Sequence, residues 1–266
     1  VGLSFGKAVA LARGLPLVAV NHLEGHAVSA RLGAEIAYPF LLLLVSGGHC
    51  QLLEVAGVGA CRRLGSTIDD AAGEAFDKIA KAMGLPYPGG PALEALAEGG
   101  DPANFTLPRM LLGRKDCDFS FSGLKTAAAR LAEGVTEPQA RRDLAACVQA
   151  AIATQLAEKS DRAMQAYALD HAGQGLRFVV AGGVAANRAV RTRLQDVAAA
   201  RGFSFAAPPL AYCTDNAAMI ALAGAERLAL GMSDPLDAVA RPRWPLDAVA
   251  AAASPTHTPG RKGAKA

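Results

Sequence analysis

Hydrophobic positions along this chain fall into helical, strand-like and broken patterns, and each predicts a different element. Over "VGLSFGKAVALARGLP" apolar residues recur at helical spacing and the stretch ends on Gly-Leu-Pro, which predicts a helix over about Gly2 to Arg13. The short apolar run "LVAV", Leu17 to Val20, reads as a strand, and "NHLEGH" then opens a second helix over Leu23 to about Leu32. "FLLLLVSGGHCQLLEV", Phe40 to Val55, is two apolar runs split by Ser-Gly-Gly-His, a hairpin signal. A third strand over about Ala60 to Leu64 leads into "GSTIDDAAGEAFDKIAKAMG", a helix ending near Gly84 with Asp69 and Asp70 as candidate caps.

The second half repeats the alternation on a larger scale. A proline and glycine loop, "PYPGGP", precedes a short helix, and the segment Asn104 to Lys125 with its "FSFSGLKT" reads as either a hairpin or a surface loop. An alanine-rich amphipathic helix is predicted from Glu137 to about Ala172. It is followed by strand, glycine turn and helix in "RFVVAGGVAANRAVRTRLQDVAAARG", then by a strand "FSFAAP" and a helix "TDNAAMIALAGAERLALG". From about Asp247 the composition turns to Ala and then Pro, Thr, Gly and Lys, which predicts a disordered end. No solenoid-type repeat is present, and a hairpin unit followed by an αβα unit predicts a layered α/β fold.

Composition narrows the class without choosing a function. At 266 residues, 52% hydrophobic and 19% charged, the chain can bury a full core. Its net charge of +3, part of it in the tail Gly260 to Ala266, tolerates an RNA partner without demanding one. Five cysteines with no C-x-x-C pairing suggest neither a disulfide framework nor a cysteine zinc site, and point to a reducing compartment. No apolar run approaches the roughly 18 residues of a membrane span, and no signal peptide pattern opens the chain. The expectation is a cytoplasmic protein with no membrane partner. Because the sequence starts at Val1 inside a helical pattern, a preceding N-terminal segment is also expected.

Chemistry concentrates in a few short stretches. His22 and His26 lie at i and i+4, so a helix presents both imidazoles on one face; this spacing suits a metal and also occurs on solvated helices. The zincin peptidase motif H-E-x-x-H has its glutamate directly after the first histidine, whereas here that position is Leu23. Glu24 instead points away from the histidine face and reads as a helix-face charge. The glycines of "LVSGGH" and "VVAGGVAAN" let backbone N–H groups approach an anion, or form ordinary turns. Asn187 reads as a helix cap or a ligand contact, Asp77 as a partner for Lys81 at i+4, and Asp69, Asp70 and Glu74 as a cap and solvated charges. Asp215 and Asn216 precede an apolar helix as candidate caps, and a carboxylate there also suits a third metal ligand.

Taken in order, "HLEGH", "LVSGGH", "DDAAGEAFDKIAKAMGLPYPGGP", "FSFSGLKT", "VAGGVAANR" and "CTDNAAMIA" resemble the bacterial tRNA N6-adenosine threonylcarbamoyltransferase family, formerly described as O-sialoglycoprotein endopeptidases. The resemblance runs from Val1 to about Asp247. It implies the actin, Hsp70 and sugar-kinase fold, an α/β architecture of two RNase H-like lobes around a nucleotide cleft. By that resemblance residues 1–38 are the remainder of the first lobe, 39–212 the second, 213–246 the metal-ligand aspartate with a closing helix, and 247–266 a tail. The implied reaction moves a threonylcarbamoyl group from threonylcarbamoyl-AMP to N6 of adenosine 37 in tRNAs reading codons that begin with adenine, releasing AMP.

Carried over by motif, His22, His26 and Asp215 match the metal ligands, implying one Fe2+ per subunit or Zn2+ in its place. Leu44, Val45, Ser46, Gly47 and Gly48 match a first substrate loop, and Asp77, Gly90, Glu94 and Asn187 match further substrate positions, with Asp77 and Glu94 suited to ribose hydroxyls. The family's partners are tRNA, a paralogous subunit of the same fold and a small P-loop ATPase. Arg109, Arg114, Lys115 and Lys125 are candidate tRNA contacts by charge alone. The first strand and acidic loop that open the family's chains are absent before Val1, so this chain alone is expected to be inactive or poorly folded. Two rival readings are a metal-dependent glycoprotein endopeptidase and a non-catalytic ATP-binding scaffold of the same fold.

Overall fold

The computed structural model describes residues 1–253; the part of the predicted disordered end beyond Ala253 lies outside the described residues. Its centre is a five-stranded sheet made of β1 (Phe40–Val45), β2 (Cys50–Gly57), β3 (Ala60–Ser66), β4 (Arg177–Ala181) and β5 (Ser204–Ala206), ordered β3-β2-β1-β4-β5. β1 pairs antiparallel with β2 through the predicted hairpin and parallel with β4, in register from Leu41↔Phe178 to Leu44↔Ala181. Helices α3 (Ala72–Ala82), α4 (Gly89–Leu96), α5 (Ser122–Gly134), α6 (Pro138–Asp170) and α7 (Arg188–Ala200) fill the connections between the strands. The predicted long helix is thus a single α6 of 33 residues, about 50 Å at 1.5 Å per residue.

Both sheet faces are covered, which explains why "FLLLLV" shows no alternation. Leu41, Leu43, Val45, Leu52, Phe178 and Val180 pack under α3, α5, α6 and α7 in the larger core. Phe40, Leu42, Leu44, Leu53, Val179 and Ala181 face the other way, against Leu23, Ala27 and Ala30. These belong to α2 (His22–Val28) and the 3-10 turn that continues it over Ser29–Leu32. The histidine helix therefore lies on the sheet itself, with α8 (Ala217–Ala229) packed beside it and α1 (Gly2–Arg13) leading towards it. All six β1 residues are fully buried, each worth about 1.5–3 kcal/mol of transfer free energy for the larger side chains.

Several expectations need correction. "LVAV" is not a strand: Leu17 makes a single bridge to Asp234, Ala19 N–H donates to the Asp234 carboxylate at 2.8 Å, and among the described residues no neighbouring strand extends the ladder. "FSFSGLKT" is neither hairpin nor loose loop. Phe119 bridges Thr67, and α5 starts at Ser122. Asp69 does not cap α3. Its carboxylate accepts from Ser120 Oγ at 2.5 Å, Phe121 N at 2.8 Å, Ser122 N at 3.2 Å and Ser122 Oγ at 2.7 Å, and so clasps the aromatic turn to the sheet end. Asp70 is held by Lys125 and Lys78, and Glu74 by Lys78, so these charges are paired rather than solvated. The stretch from Asp247 begins with a short helix, α9 (Ala248–Ala253), where Asp247 accepts from Ala250 N at 2.9 Å and Arg63 N at 2.9 Å.

On α6, Asp143 fastens the Pro102–Asn104 turn: it accepts from Asp101 N at 2.9 Å, Asn104 Nδ2 at 2.8 Å and Gln139 Nε2 at 2.8 Å. These donors, Asp101 N first, hold its carboxyl below the usual carboxylate range. A depressed folded-state pKa contributes stability that is fully present above the unfolded value of about 3.9 and is lost as pH falls through the folded value. Asp143→Asn should therefore flatten the acid limb of the stability curve below about pH 4, as read by urea midpoints across pH. An acid limb identical to that of the unsubstituted chain would contradict this assignment.

Candidate functional site

The carboxyl ends of β1 and β4 lie side by side, because parallel pairing brings Leu44 against Ala181. The loops that leave them are therefore neighbours, the usual place for a ligand in an open α/β sheet. The first loop is closed by Ser46: its N–H donates to His49 O at 2.8 Å, and its Oγ accepts from His49 N at 3.2 Å. A Cβ added at Gly47 or Gly48 would meet open space, so the backbone of this loop is approachable from outside. At Gly182 the reverse holds. With φ of 98° its Cβ would lie 2.4 Å from Val45 O, so only glycine lets the second loop press against the first. Gly73 does the same for α3, where a Cβ would come within 2.7 Å of Ser46 O.

The remaining predicted substrate positions form a chain of contacts from these loops. Asp77, one turn beyond Gly73, accepts from Gly89 N at 2.8 Å, which fixes the start of α4 and sets Gly90 beside open space. Asp77 thus serves the α4 N-terminus and not Lys81. Glu94, one turn into α4, accepts from Arg188 N at 2.9 Å and Arg188 Nε at 3.1 Å. Asn187 caps α7 by accepting from Val190 N at 2.9 Å, and its amide donates to Gln149 Oε1 at 2.8 Å. Leu44, Val45, Ser46, Gly47, Gly48, Asp77, Gly90, Glu94 and Asn187 are in this way one connected set spread over five elements.

The histidines meet the aspartate from the far end of the chain. His26 Nε2 lies 3.0 Å and His22 Nε2 3.4 Å from Asp215 Oδ1, and the two rings stand edge to face at 4.8 Å. Asn21 starts α2 by accepting from Leu23 N at 2.9 Å while its amide donates to Trp244 O at 2.6 Å. Of the two candidate caps before α8, Asn216 takes the role, accepting from Met219 N at 2.9 Å. Asp215 is thereby left free to face the histidines. His22 and Asp215 are exposed while His26 is buried, so the cluster opens on one side. Burial, with His22 beside it, pushes the His26 imidazole below its usual pKa, against the opposing pull of Asp215, and so favours the neutral form that ligates metals.

Two histidines and one carboxylate are a donor set suited to Fe(II) or Zn(II). Among the described residues the buried Nδ1 of His26 has no hydrogen-bond partner, so this ring is held by packing and by what its Nε2 meets. The residues present fit a metal ion. His22 also lines a cavity of about 330 Å³ with His49 of the first glycine loop, which joins the histidine helix to the substrate loops.

Sequence reasoning missed what holds the third ligand in place. Glu24 is buried, correcting its reading as a helix-face charge. Its carboxylate takes the Arg227 guanidinium at 3.0 and 2.9 Å to Nε and 2.8 Å to Nη2. Gly25 lets α8 come close, since a Cβ there would lie 2.8 Å from Ile220 Cδ1. No local signal marks a pair 203 positions apart, although a glycine following a mid-helix acid was a hint of close packing.

Fold and site define a layered α/β protein with an approachable glycine-loop cleft and a His-His-Asp cluster at its edge. The sequence model described as tRNA N6-adenosine threonylcarbamoyltransferase matches residues 1–222. Curated proteins of that name are 79% identical in Caulobacter vibrioides, over the whole chain and 72% of the relative, and 58% identical in Maricaulis maris, over 99% and 71%. One from Paramagnetospirillum magneticum is 56% identical over the whole chain and 74% of its own length. The chain belongs to the tRNA N6-adenosine threonylcarbamoyltransferase family, with its actin, Hsp70 and sugar-kinase type of fold. It is a transferase of tRNA modification, and tRNA is its substrate. The peptidase reading fails on chemistry as well, since Glu24 is neutralised by Arg227. Among the described residues no helix is long and apolar enough to cross a membrane.

Removing one member of the buried pair tests these roles. Glu24→Ala should destabilise the chain by about 3–5 kcal/mol by leaving Arg227 uncompensated, and should lower metal affinity per folded molecule because Asp215 loses the pair that docks its helix on α2. Stability equal to the unsubstituted chain, measured by thermal unfolding, would contradict the structural role of Glu24.

Proposed function

We propose that this chain transfers a threonylcarbamoyl group from threonylcarbamoyl-AMP to N6 of adenosine 37 in tRNAs reading codons that begin with adenine. The new C–N bond forms at N6, the carbonyl–oxygen bond of the mixed anhydride breaks, and AMP leaves with that oxygen. The N6 proton is released. The observation that carries the reading is the meeting of His22, His26 and Asp215 beside the glycine loops.

In this reading Leu44, Val45, Ser46, Gly47 and Gly48 form the first substrate loop, with Gly47 and Gly48 turning their backbone to the adenylate phosphate, and the open space over these two glycines supports that approach. Asp77 and Glu94 accept ribose hydroxyls, Gly90 admits the nucleoside closely, and Asn187 steadies the second loop. Glu94 would exchange its present Arg188 partner for that contact. His22, His26 and Asp215 hold one metal ion, Fe2+ by preference with Zn2+ as the alternative, as a Lewis acid that orients and polarises the carbamoyl carbonyl when bound. Much of the catalysis is then positioning, because the mixed anhydride already carries the driving force. A paralogous same-fold subunit and a small P-loop ATPase complete the assembly, in the cytoplasm where tRNA is modified.

The test supplies the full chain with its partners, threonylcarbamoyl-AMP and unmodified tRNA, and reads N6-threonylcarbamoyladenosine by nucleoside mass spectrometry. His26→Ala and Asp215→Ala should each lower metal affinity by more than about tenfold, a loss that removal of outer-shell partners alone can reach, and abolish product. Chelation should do the same and Fe2+ should restore it. A metal-free His26→Ala chain that transfers as fast as the original would remove the metal from the mechanism.

A further inference from the structure

We propose that a basic furrow between α6, α7 and the loop over residues 109–116 is the track on which this chain holds the phosphate backbone of its tRNA, an assignment that rests on the tRNA-modifying reading above. The furrow is a cavity of about 640 Å³ lined by five basic and two acidic side chains. Both acids are engaged, Glu158 by Arg109 and Asp161 by Arg201 at 2.5 Å. Arg114 is turned to Asp116 and Asp118. Lys159 pairs with Asp116, so two of the five lining cations, Arg162 and Arg193, form no ion pair among the described residues, and neither does Lys115 in the adjoining loop. Arg162 donates only to the carbonyls of Arg114 and Asp116; its charge acts on Asp161 without a direct ion pair, and Asp161 is itself held by Arg201. Arg193, exposed on α7, and Lys115, exposed in the loop, form no ion pair.

The loop is built to hold its shape. Leu111 sits at φ of 55°, a conformation that a β-carbon-bearing residue keeps only when its surroundings enforce it. Contacts from α6 anchor both ends of this loop, beginning with Gln155 Nε2, which donates to Met110 O at 3.5 Å. Lys159, almost wholly buried, donates to Asp116 O at 3.0 Å, and Arg162 to the same carbonyl at 2.7 Å. A solvated charge cluster needs no such anchoring.

The furrow also leads to the site. Arg193 lines both it and a second cavity of about 580 Å³ whose other walls include Glu94, Arg188 and Gln149, the residues in contact with Asn187 and the α7 start. From Gln149 to Arg162 along α6 is about 20 Å at 1.5 Å per residue. A nucleic acid with one base in the cleft would therefore lay its adjoining backbone over unneutralised guanidinium and ammonium groups, releasing counterions.

Arg193→Glu and Lys115→Glu test this without disturbing the anchors. In the full chain, affinity for unmodified tRNA should fall on the order of tenfold for the double variant. The slope of log K against log salt should become shallower by about 0.7–0.9 for each phosphate that is no longer neutralised. Arg13→Glu on α1, a charge change equal to that of either single variant, should leave both unchanged. Affinity and salt slope unaffected by the reversals would overturn the furrow assignment while leaving the transferase reading intact. An equal weakening in Arg13→Glu would overturn it by reducing the effect to net charge, and failure of the unsubstituted chain to bind tRNA at all would overturn both.

Discussion

The parallel pairing of β1 with β4 is the constraint on which the rest of this molecule depends. About 130 residues separate the two strands in sequence, yet their register brings two glycine loops edge to edge at one end of the sheet. That contact survives only because Gly182 has no side chain to strike the Val45 carbonyl. Everything assigned to substrate then hangs from these loops: α3 through Gly73, α4 through Asp77 and Gly89, and α7 through Asn187. Burying β1 on both faces makes the platform stiff, since neither loop can shift without disturbing a strand that is packed above and below.

The metal candidates depend on a second, separate device. Two histidines on one helix need no tertiary structure to face the same way, but Asp215 belongs to a segment nearly two hundred residues on. Its position follows from the Glu24–Arg227 pair and the small Gly25 surface, which dock α8 on α2, and from Asn216, which takes the capping role and leaves Asp215 to the imidazoles. The residue that made "HLEGH" look like a displaced peptidase motif is thus the one that assembles the cluster. It acts by charge neutralisation inside the protein instead of by proton transfer.

Element types were largely legible because their signals are local. The helix over Gly2 to Arg13, the glycine hairpin, the long α6 and the strand–turn–helix of "VVAGGVAAN" follow from periodicity and caps that neighbouring residues supply. The failures share one cause. "LVAV" is taken up by Asp234, which bridges Leu17 and accepts from Ala19 N 215 positions away, and Asp69 spends its carboxylate on residues some fifty positions away. Asp70 and Glu24 are likewise neutralised by distant or buried cations. In each case a competing long-range partner outweighed the local preference.

The candidate site divides along the same line. Sequence by itself determined which residue types were present at which spacing: an i, i+4 histidine pair, two glycine loops after apolar runs, and an Asp-Asn step before a helix. It could also match these motifs to a family, because a motif is a pattern along the chain. Only the tertiary structure decided that His22, His26 and Asp215 converge, that Asn187 and Asp77 hold helix starts, and that Glu24 is a buried anchor. Convergence is set by strand pairing and helix docking between segments far apart in the chain, and no local propensity carries that information.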